Sequence, residues 1–534
     1  NSGEIHYYLA ECFYAAGDFA RAAEAYRQAA ERYPQSTWRE KAAFNRIFSA
    51  MQLWKSDEAG ADTLRLAHFL DAESIVVTGL ARTDAEVLIA CNDFCRMFPQ
   101  SELLDQVLMT FGRVLYARRA FLPAVQVYQR VMNLTPPSPH RSAAAMNAGQ
   151  AYFDGELFEQ ARDRFVAVAQ AADDANLAVQ AQRMAASAQF KIAERMSRDG
   201  RLLDAASLLL AAAAFAPDSL FQARALFEAA LQYQKADSLK EAARTFEQTA
   251  LRHPTSELAD KALYQAAVLR ERLGDWPLAA ADYRQAAEHY PNSPLRQQAF
   301  KNAVLCYENA QDWTAAKNIC RRLLETYPND AEDVIEFSYK CGDLAHKAGQ
   351  PDEAVRCFRE TLERFAALNG RGLTPDPYFA AGAQFRLGEL AYDAYREIAL
   401  TPPFESNLKR KMSAFAEVVK TYSEAVRYAV ADWSTASLYR IGESFEELVR
   451  ALTAAPIPDH LNEEQRLLYR QKLAERARPY QEKALETFAK NIEQAEANAV
   501  DNQWVASSRL RLEALRQELS AQAPSEPNRN QEEP

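Results

Sequence analysis

The chain has 534 residues, and 62 Lys and Arg against 73 Asp and Glu give it a net charge of −11 at pH 7. This acidic balance argues against a nucleic-acid-binding protein, because the neutralisation of phosphates requires a basic surface. Only 16 residues are glycine, while 48% are hydrophobic. Such a composition leaves few tight turns and predicts a nearly all-helical protein.

The sequence predicts no membrane span and leaves the compartment open. Its longest apolar run, residues 205–216, is shorter than the roughly 18 residues that a spanning helix needs. The chain begins at Asn1, and its first residues already look like the start of a helix. We therefore expect that an upstream signal, a lipid anchor or further repeats precede it.

Prolines recur at a fixed interval of 37 residues at Pro217, Pro254, Pro291 and Pro328. Alignment on these prolines brings alanines into one position: Ala205, Ala242, Ala279 and Ala316. An apolar residue follows each alanine four residues later: Leu209, Phe246, Tyr283 and Cys320. Self-similarity at such a period indicates a repeat architecture.

Each repeat is predicted to be a pair of antiparallel helices, which we call helix A and helix B. Apolar residues follow helical spacing on both, and a short turn such as Gly274-Asp275-Trp276 joins them. The closing proline ends helix B because it lacks an N–H and its ring clashes with the preceding turn. The residue two positions later is the expected N-cap of the next helix: Ser36, Ser101, Ser219, Ser256, Ser293 and Asp330.

The small residues on both helices, the aromatic after the turn and the closing proline resemble the tetratricopeptide repeat family. The resemblance covers nine units: 3–34, 62–99, 101–136, 140–172, 176–217, 219–254, 256–291, 293–328 and 331–366. Residues 37–61 are too few for a unit and are expected to form one extra helix. The resemblance implies an all-α, right-handed superhelical solenoid that binds proteins, and we expect no strand in this span. The longer connection between hairpins is similar to that of bacterial cell-envelope members, such as outer-membrane assembly lipoproteins and partners of the Tol–Pal system.

The register is lost after Phe365. We predict a solenoid over residues 1–369, a linker at 370–377 that is rich in glycine and proline, a C-terminal helical region at 378–519 that caps the solenoid as a bundle, and a disordered tail at 520–534. Five helices are expected in the C-terminal region, at 379–398, 408–429, 433–452, 463–499 and 504–519.

Catalytic motifs are missing from the sequence. It has no His-Glu-x-x-His pair for zinc and no Gly-x-x-x-x-Gly-Lys loop for phosphates. The segment from Gly442 to Glu446 begins like a nucleophile elbow but has glutamate where the second glycine is needed. We therefore expect no enzyme, no catalytic residue, no metal ligand and no cofactor.

Seven cysteines form an odd, scattered set, which predicts free and mostly buried thiols rather than a disulfide framework: Cys12, Cys91, Cys95, Cys306, Cys320, Cys341 and Cys357. Cys91 and Cys95 lie one helical turn apart, so a metal site or a redox pair is an alternative. The register places Cys91 in the apolar position that Phe246 and Tyr283 occupy in other units, which favours packing.

Function is expected on the helix A faces, which line the concave side of such solenoids. Six side chains form the candidate partner-binding groove: Arg224, Phe227, Lys261, Tyr264, Lys301 and Asn302. Aromatics among cations suit a peptide with apolar anchors, although packing between repeats explains the aromatics equally well. The predicted function is a non-catalytic scaffold for a protein or peptide partner in the envelope or periplasm, in envelope assembly or in a secretion or motility complex. A cytoplasmic adaptor and a subunit of an enzyme complex are the alternatives.

Overall fold

A computed structural model describes residues 2–54, 60–70 and 74–522, and this part of the chain contains 23 helices and two strands. The elements up to residue 273 are α1 Ser2–Ala15, α2 Phe19–Arg32, α3 Arg39–Leu53, β1 Asp62–Ala67, β2 Ser74–Leu80, α4 Arg82–Met97, α5 Leu104–Ala117, α6 Phe121–Met132, α7 Arg141–Asp154, α8 Phe158–Ala171, α9 Ala175–Arg198, α10 Leu202–Phe215, α11 Ser219–Lys235, α12 Leu239–Arg252 and α13 Ala259–Arg272.

The later elements are α14 Trp276–His289, α15 Arg296–Asn309, α16 Trp313–Thr326, α17 Ala331–Lys347, α18 Pro351–Gly370, α19 Tyr378–Arg396, α20 Phe404–Val426, α21 Ala431–Thr453, α22 Glu463–Ala497 and α23 Gln503–Gln522. The chain divides into two compact units, Asn1–Leu273 and Gly274–Pro534, which we call unit 1 and unit 2. Among the described helices, none is both long enough and apolar enough to cross a membrane.

Within each unit, helices that are consecutive in the sequence pack against each other, so the predicted all-α fold of helix pairs is confirmed. The predicted register is visible in the burial of side chains. The four aligned alanines are fully buried: Ala205, Ala242, Ala279 and Ala316. The residues four positions later are at most 3% exposed: Leu209, Phe246, Tyr283 and Cys320.

A small residue on helix A packs against a ring on helix B. A Cβ atom added to Gly112 in α5 would lie 2.5 Å from the ring of Tyr128 in α6. Gly149 faces Phe165 in the same manner in the next pair. Only a residue without a side chain lets the ring approach the backbone of helix A so closely.

Two strands interrupt the helices, so the prediction that residues 3–366 contain no strand is wrong. β1 and β2 pair in antiparallel fashion, with Leu64 opposite Val77. The two strands occupy the position that was predicted for helix A in the unit at 62–99, and α4 is helix B of that unit. β2 contains consecutive β-branched residues, which favour a strand, and Leu66 and Val77 bury their side chains at 3% exposure. The extra helix expected within 37–61 is α3, and residues 55–59 lie outside the described residues.

The serines after the closing prolines do not cap helices as predicted. The Ser101 hydroxyl accepts a hydrogen bond from the backbone N–H of Leu103 at 3.0 Å, and α5 begins at Leu104. Ser36, Ser256 and Ser293 form the same turn one step before their helices. These serines stabilise the connection, because a hydroxyl readily bonds to a backbone N–H two residues further on. At the two remaining positions, Asp218 rather than Ser219 caps α11, and Asp330 caps α17.

The five helices expected in the C-terminal region are present with shifted ends. α18 extends through Gly370, so the connection to α19 is shorter than the predicted linker. α23 extends to Gln522, so residues 520–522 belong to a helix and not to the predicted tail. Residues 523–534 lie outside the described residues. The predicted domain boundary at 370–377 follows the loss of the period, whereas the division into compact units falls at Leu273, so the predicted domain limits remain a prediction.

Candidate docking faces

Three aromatic residues of unit 1 occupy one register position on successive helices A. Phe190 in α9, Phe227 in α11 and Tyr264 in α13 are spaced by the repeat period and are all partly buried. We call them the aromatic row. The sequence analysis missed Phe190, although the 37-residue period points to it. The row carries one ring on each of three successive helices A of unit 1.

Two of the predicted cations stand beside this row. Arg224 and Lys261 are exposed and precede Phe227 and Tyr264 by three residues, which places each cation on the same helix face as its aromatic neighbour. The Arg224 guanidinium lies 5.3 Å from the centre of the Phe190 ring, a cation–π distance. The row therefore combines apolar surface with accessible positive charge.

Phe227 also has a packing role. Its ring meets the buried ring of Phe246 edge to face, with 5.0 Å between the ring centres. Phe246 occupies the apolar position of helix B, so part of the Phe227 side chain seals the interior of its own helix pair. The packing interpretation of the helix A aromatics therefore applies to Phe227, and its role as a partner anchor stays a prediction.

The two predicted groove residues of unit 2 are engaged within that unit. The Lys301 ammonium lies 2.6 Å from the Asp333 carboxylate, which is itself buried. The Asn302 side-chain oxygen accepts a hydrogen bond from Gln298 at 2.8 Å. The Lys301 charge is thus paired with a carboxylate of the next helix pair, in contrast to the exposed cations of the aromatic row.

A cavity of about 340 Å³ opens on the helix A faces of α5 and α7, and the sequence analysis did not find it. The exposed Arg113 and Asn147 and the partly buried Gln150 line it together with Tyr116 and Tyr128. Burial raises the pKa of both tyrosines to about 12, so both hydroxyls stay protonated at neutral pH. Tyr116 donates its hydrogen bond to Asp154. The cavity presents amides, hydroxyls and one guanidinium.

Cys91 and Cys95 show no sign of special reactivity. None of the seven cysteines, all of which lie in the described residues, forms a disulfide, and Cys91 is fully buried in the position that the register predicted. Burial raises the pKa of the Cys95 thiol to about 12 and that of Cys91 well above its ordinary value, which disfavours the reactive thiolate. Within the described ranges, no group of three His, Cys, Asp or Glu side chains could hold a metal ion.

Family models connect these helix pairs with known repeats. One model of the tetratricopeptide repeat matches residues 4–36, 261–293 and 302–330, and a second matches residues 339–396. These segments are tetratricopeptide repeats. The second match extends past the predicted linker into α19. Together with the helix pairs, the matches confirm the predicted fold class, an all-α tetratricopeptide solenoid. Such repeats are generally non-catalytic and support a scaffold for protein–protein interaction.

Solved structures show only distant similarity. A MamA fragment from Desulfovibrio magneticus RS-1 is 14% identical, covers 34% of this chain and 96% of its own, and has a TM-score of 0.22. BtubC (BKLC) from P. vanneervenii is 17% identical over 46% of this chain and 92% of its own, with a TM-score of 0.22. The apo form of RapI is 12% identical over 50% of this chain and 99% of its own, also with a TM-score of 0.22. No curated protein matches the sequence. The fold assignment rests on the helix pairs and the matched repeats.

Proposed function

We propose that the chain is a non-catalytic docking scaffold whose aromatic row in unit 1 holds a segment of a partner protein. The observation that carries this proposal is the combination of Phe190, Phe227 and Tyr264 at repeat spacing with the exposed Arg224 and Lys261. Partly buried aromatic and arginine side chains are the residue types that dominate binding energy in protein interfaces. A partner segment with apolar anchors and acidic residues between them fits this face.

The cations give the cleanest test because they are exposed, whereas Phe227 also seals its helix pair. The double variant Arg224→Glu/Lys261→Glu is expected to keep the fold and to weaken partner capture, since it places negative charge beside the aromatic row. The matched control is Lys240→Glu/Arg244→Glu, which makes the same change of charge on exposed positions of α12, a helix B. Quantitative mass spectrometry of proteins captured from the native organism compares both variants with the parent.

Loss of the same proteins with the first variant only supports docking at the aromatic row. Equal capture by the parent and both double variants contradicts it. Phe227→Ala is expected to weaken binding by about 1–3 kcal/mol if the ring is an anchor. It also lowers the thermal unfolding midpoint, because the contact with Phe246 is lost. Raised salt should loosen a complex that depends on the two cations, since screening weakens exposed charges.

As the setting of this scaffold we propose the bacterial cell envelope, in assembly, secretion or motility, with a cytoplasmic adaptor or a subunit of an enzyme complex as the alternatives. The longer connection that contains Ser101, Ser256 and Ser293 supports the envelope, because it is similar to that of envelope members of the family. Fractionation of the native organism, with protease accessibility of the periplasm, tests the setting. Recovery in the cytosolic fraction alone contradicts it and leaves the docking proposal intact.

A further inference from the structure

Three thiols of unit 2 converge where α16, α17 and α18 pack together. Cys320, Cys341 and Cys357 each lie on one of these helices and are at most 5% exposed. The Cys320 and Cys341 thiols are hydrogen-bonding neighbours, and the Cys341 thiol donates a hydrogen bond to the backbone oxygen of Lys317, with 3.9 Å between sulfur and oxygen. Cys320 belongs to helix B of one pair and Cys341 to helix A of the next, so the two thiols join successive repeats.

A cavity of about 250 Å³ reaches two of these thiols. Cys341 and Cys357 line it, and so does Ser338, which lies one helical turn before Cys341 on the same face of α17. Ser338 is 3% exposed, and its hydroxyl has no hydrogen-bond partner among the described residues. A buried hydroxyl without a partner carries a desolvation cost that a bound polar molecule would offset. A small molecule in this cavity would therefore be within reach of both the Ser338 hydroxyl and the Cys341 sulfur.

Charged side chains of both signs line the cavity, and the three arginines are accompanied by Glu325 and Glu360. Arg321, Arg356 and Arg364 line it, and Arg321 and Arg356 share the carboxylate of Glu353. The hydrogen bond from Cys320 lowers the pKa of the Cys341 thiol, and Arg321 and Arg364 act in the same direction. Burial has the opposite effect on Cys320 and raises its pKa well above the ordinary value. The pKa of the Cys341 thiol therefore lies below that of the Cys320 thiol, so Cys341 is the thiol of this pair that ionises more readily.

We propose that Cys341 is an oxidation site that reacts with a small hydroperoxide in this cavity, and that Cys320 then closes a disulfide with it. In the first step the Cys341 thiolate attacks one oxygen of hydrogen peroxide, an S–O bond forms and the O–O bond breaks. The leaving hydroxide takes up the proton that the Cys341 thiol released on ionisation and departs as water. The product is a sulfenic acid at Cys341. The Ser338 hydroxyl donates a hydrogen bond to the bound peroxide.

In the second step the Cys320 sulfur attacks the Cys341 sulfur. An S–S bond forms and the S–O bond breaks, and the departing oxygen leaves as water with the Cys320 proton. Overall, two thiols lose two electrons and one hydrogen peroxide is reduced to two waters. The disulfide ties α16 to α17 and restricts the separation of two successive repeats.

The test uses the full chain in reduced form, exposed to a small excess of hydrogen peroxide. At intervals the protein is unfolded, free thiols are alkylated, and tryptic peptides are analysed by mass spectrometry. Cys341 is expected to lose its free thiol at least about tenfold faster than Cys91, whose buried thiol has no such environment. A Cys320–Cys341 peptide pair that dithiothreitol separates is the expected product.

Variants identify the role of each group. Cys320→Ala is expected to stop the reaction at the sulfenic acid, which dimedone traps on Cys341, and Cys341→Ala should leave Cys320 reduced. Arg364→Gln should slow the oxidation of Cys341, whereas Arg359→Gln, at an exposed position of the same helix outside the cavity, should not. The comparison of Arg364→Gln with Arg359→Gln tests the proposal even if an alanine variant does not fold.

Three results would overturn the proposal. They are oxidation of Cys341 at the rate of Cys91, a disulfide between Cys341 and Cys357 in place of the expected one, and equal rates for Arg364→Gln and Arg359→Gln. None of these results bears on docking at the aromatic row, which lies in unit 1.

Discussion

Within unit 2, the pair α17–α18 follows the repeat register, whereas α19 to α23, which have 19 to 35 residues each and which we call the long helices, have no period. Both regions nevertheless use the same contact between helices. Gly342 faces Phe358 in the regular pair, while Gly388 faces Tyr422 and Gly442 faces Phe488 in the long helices. The partners of the long helices are much farther apart in sequence. The repeat period thus reflects helix and loop length, and it can be lost while the packing of helix pairs is retained.

The long helices also hold charged side chains that are removed from water. Lys411 in α20 is only 1% exposed, and its ammonium donates hydrogen bonds to the backbone oxygens of Ile398 at 2.9 Å and Tyr395 at 3.3 Å. These carbonyls lie at the C-terminal end of α19, where helices leave acceptors unpaired. Arg440 in α21 pairs with Glu389 at 2.8 Å and joins α21 to α19. Buried charge thus occurs in both regions, since Asp333 in α17 of the regular pair is also buried and pairs with Lys301.

The largest expected effect tests whether the two regions share one packing unit. Phe488→Ala and Phe358→Ala each remove a ring that is at most 1% exposed, and each should reduce the free energy of unfolding by about 3–5 kcal/mol. Denaturant titration followed by circular dichroism measures both. A cost below about 1 kcal/mol for Phe488→Ala alone, the range of tolerated substitutions, would show that the long helices are not packed as the regular pair is.

A smaller effect is expected when a side chain is added on the glycine side of the contact. A Cβ on Gly388 would lie 2.5 Å from the ring of Tyr422, so Gly388→Ala should destabilise by about 1–3 kcal/mol through overpacking. Gly370→Ala is the matched control, because a Cβ there meets nothing within 4 Å. Equal unfolding midpoints for the two variants would show that the long helices lack the close contact between glycine and aromatic ring that the regular repeats have.

The smallest effect concerns a feature that belongs to the regular repeats, the residue before the closing proline. His253 in unit 1 is buried and contacts the Ser219 hydroxyl at 2.8 Å, and burial lowers its pKa. The unfolded chain then binds more protons than the folded one, so the stability that neutral His253 contributes is complete above about pH 6.5 and is lost as the pH falls through the folded pKa. The parent should therefore unfold more easily at pH 5 than at pH 7.5.

The replacement His253→Tyr measures the contribution of His253 to the acid sensitivity. Tyrosine is a suitable substitute because it occupies the same position in other repeats, at Tyr33 and Tyr327. This variant is expected to lose part of the acid sensitivity while its stability at pH 7.5 changes little. Thermal unfolding at the two pH values measures both quantities. An unchanged difference between the two pH values would assign the acid sensitivity to other groups.

The sequence by itself determined the helix pairs and their register. Periodic alanines and prolines were sufficient, since a small residue is required wherever two helices approach closely and the proline after helix B cannot continue that helix. The same register placed Cys91 correctly in an apolar position, although its helix A is absent. These are local rules that repeat, and a period of 37 residues makes them visible without an alignment.

Only the tertiary structure decided the rest. The strands at Asp62–Ala67 and Ser74–Leu80 depend on a partner strand and on burial against neighbouring helices, neither of which a helical period reports. The contact of Gly442 with Phe488 and the convergence of Cys320, Cys341 and Ser338 join residues from different helices. Whether Lys301 is a free cation or the partner of Asp333 depends on the next helix pair. Sequence spacing predicts the face on which a side chain lies, whereas its partner is set by the packing of helices.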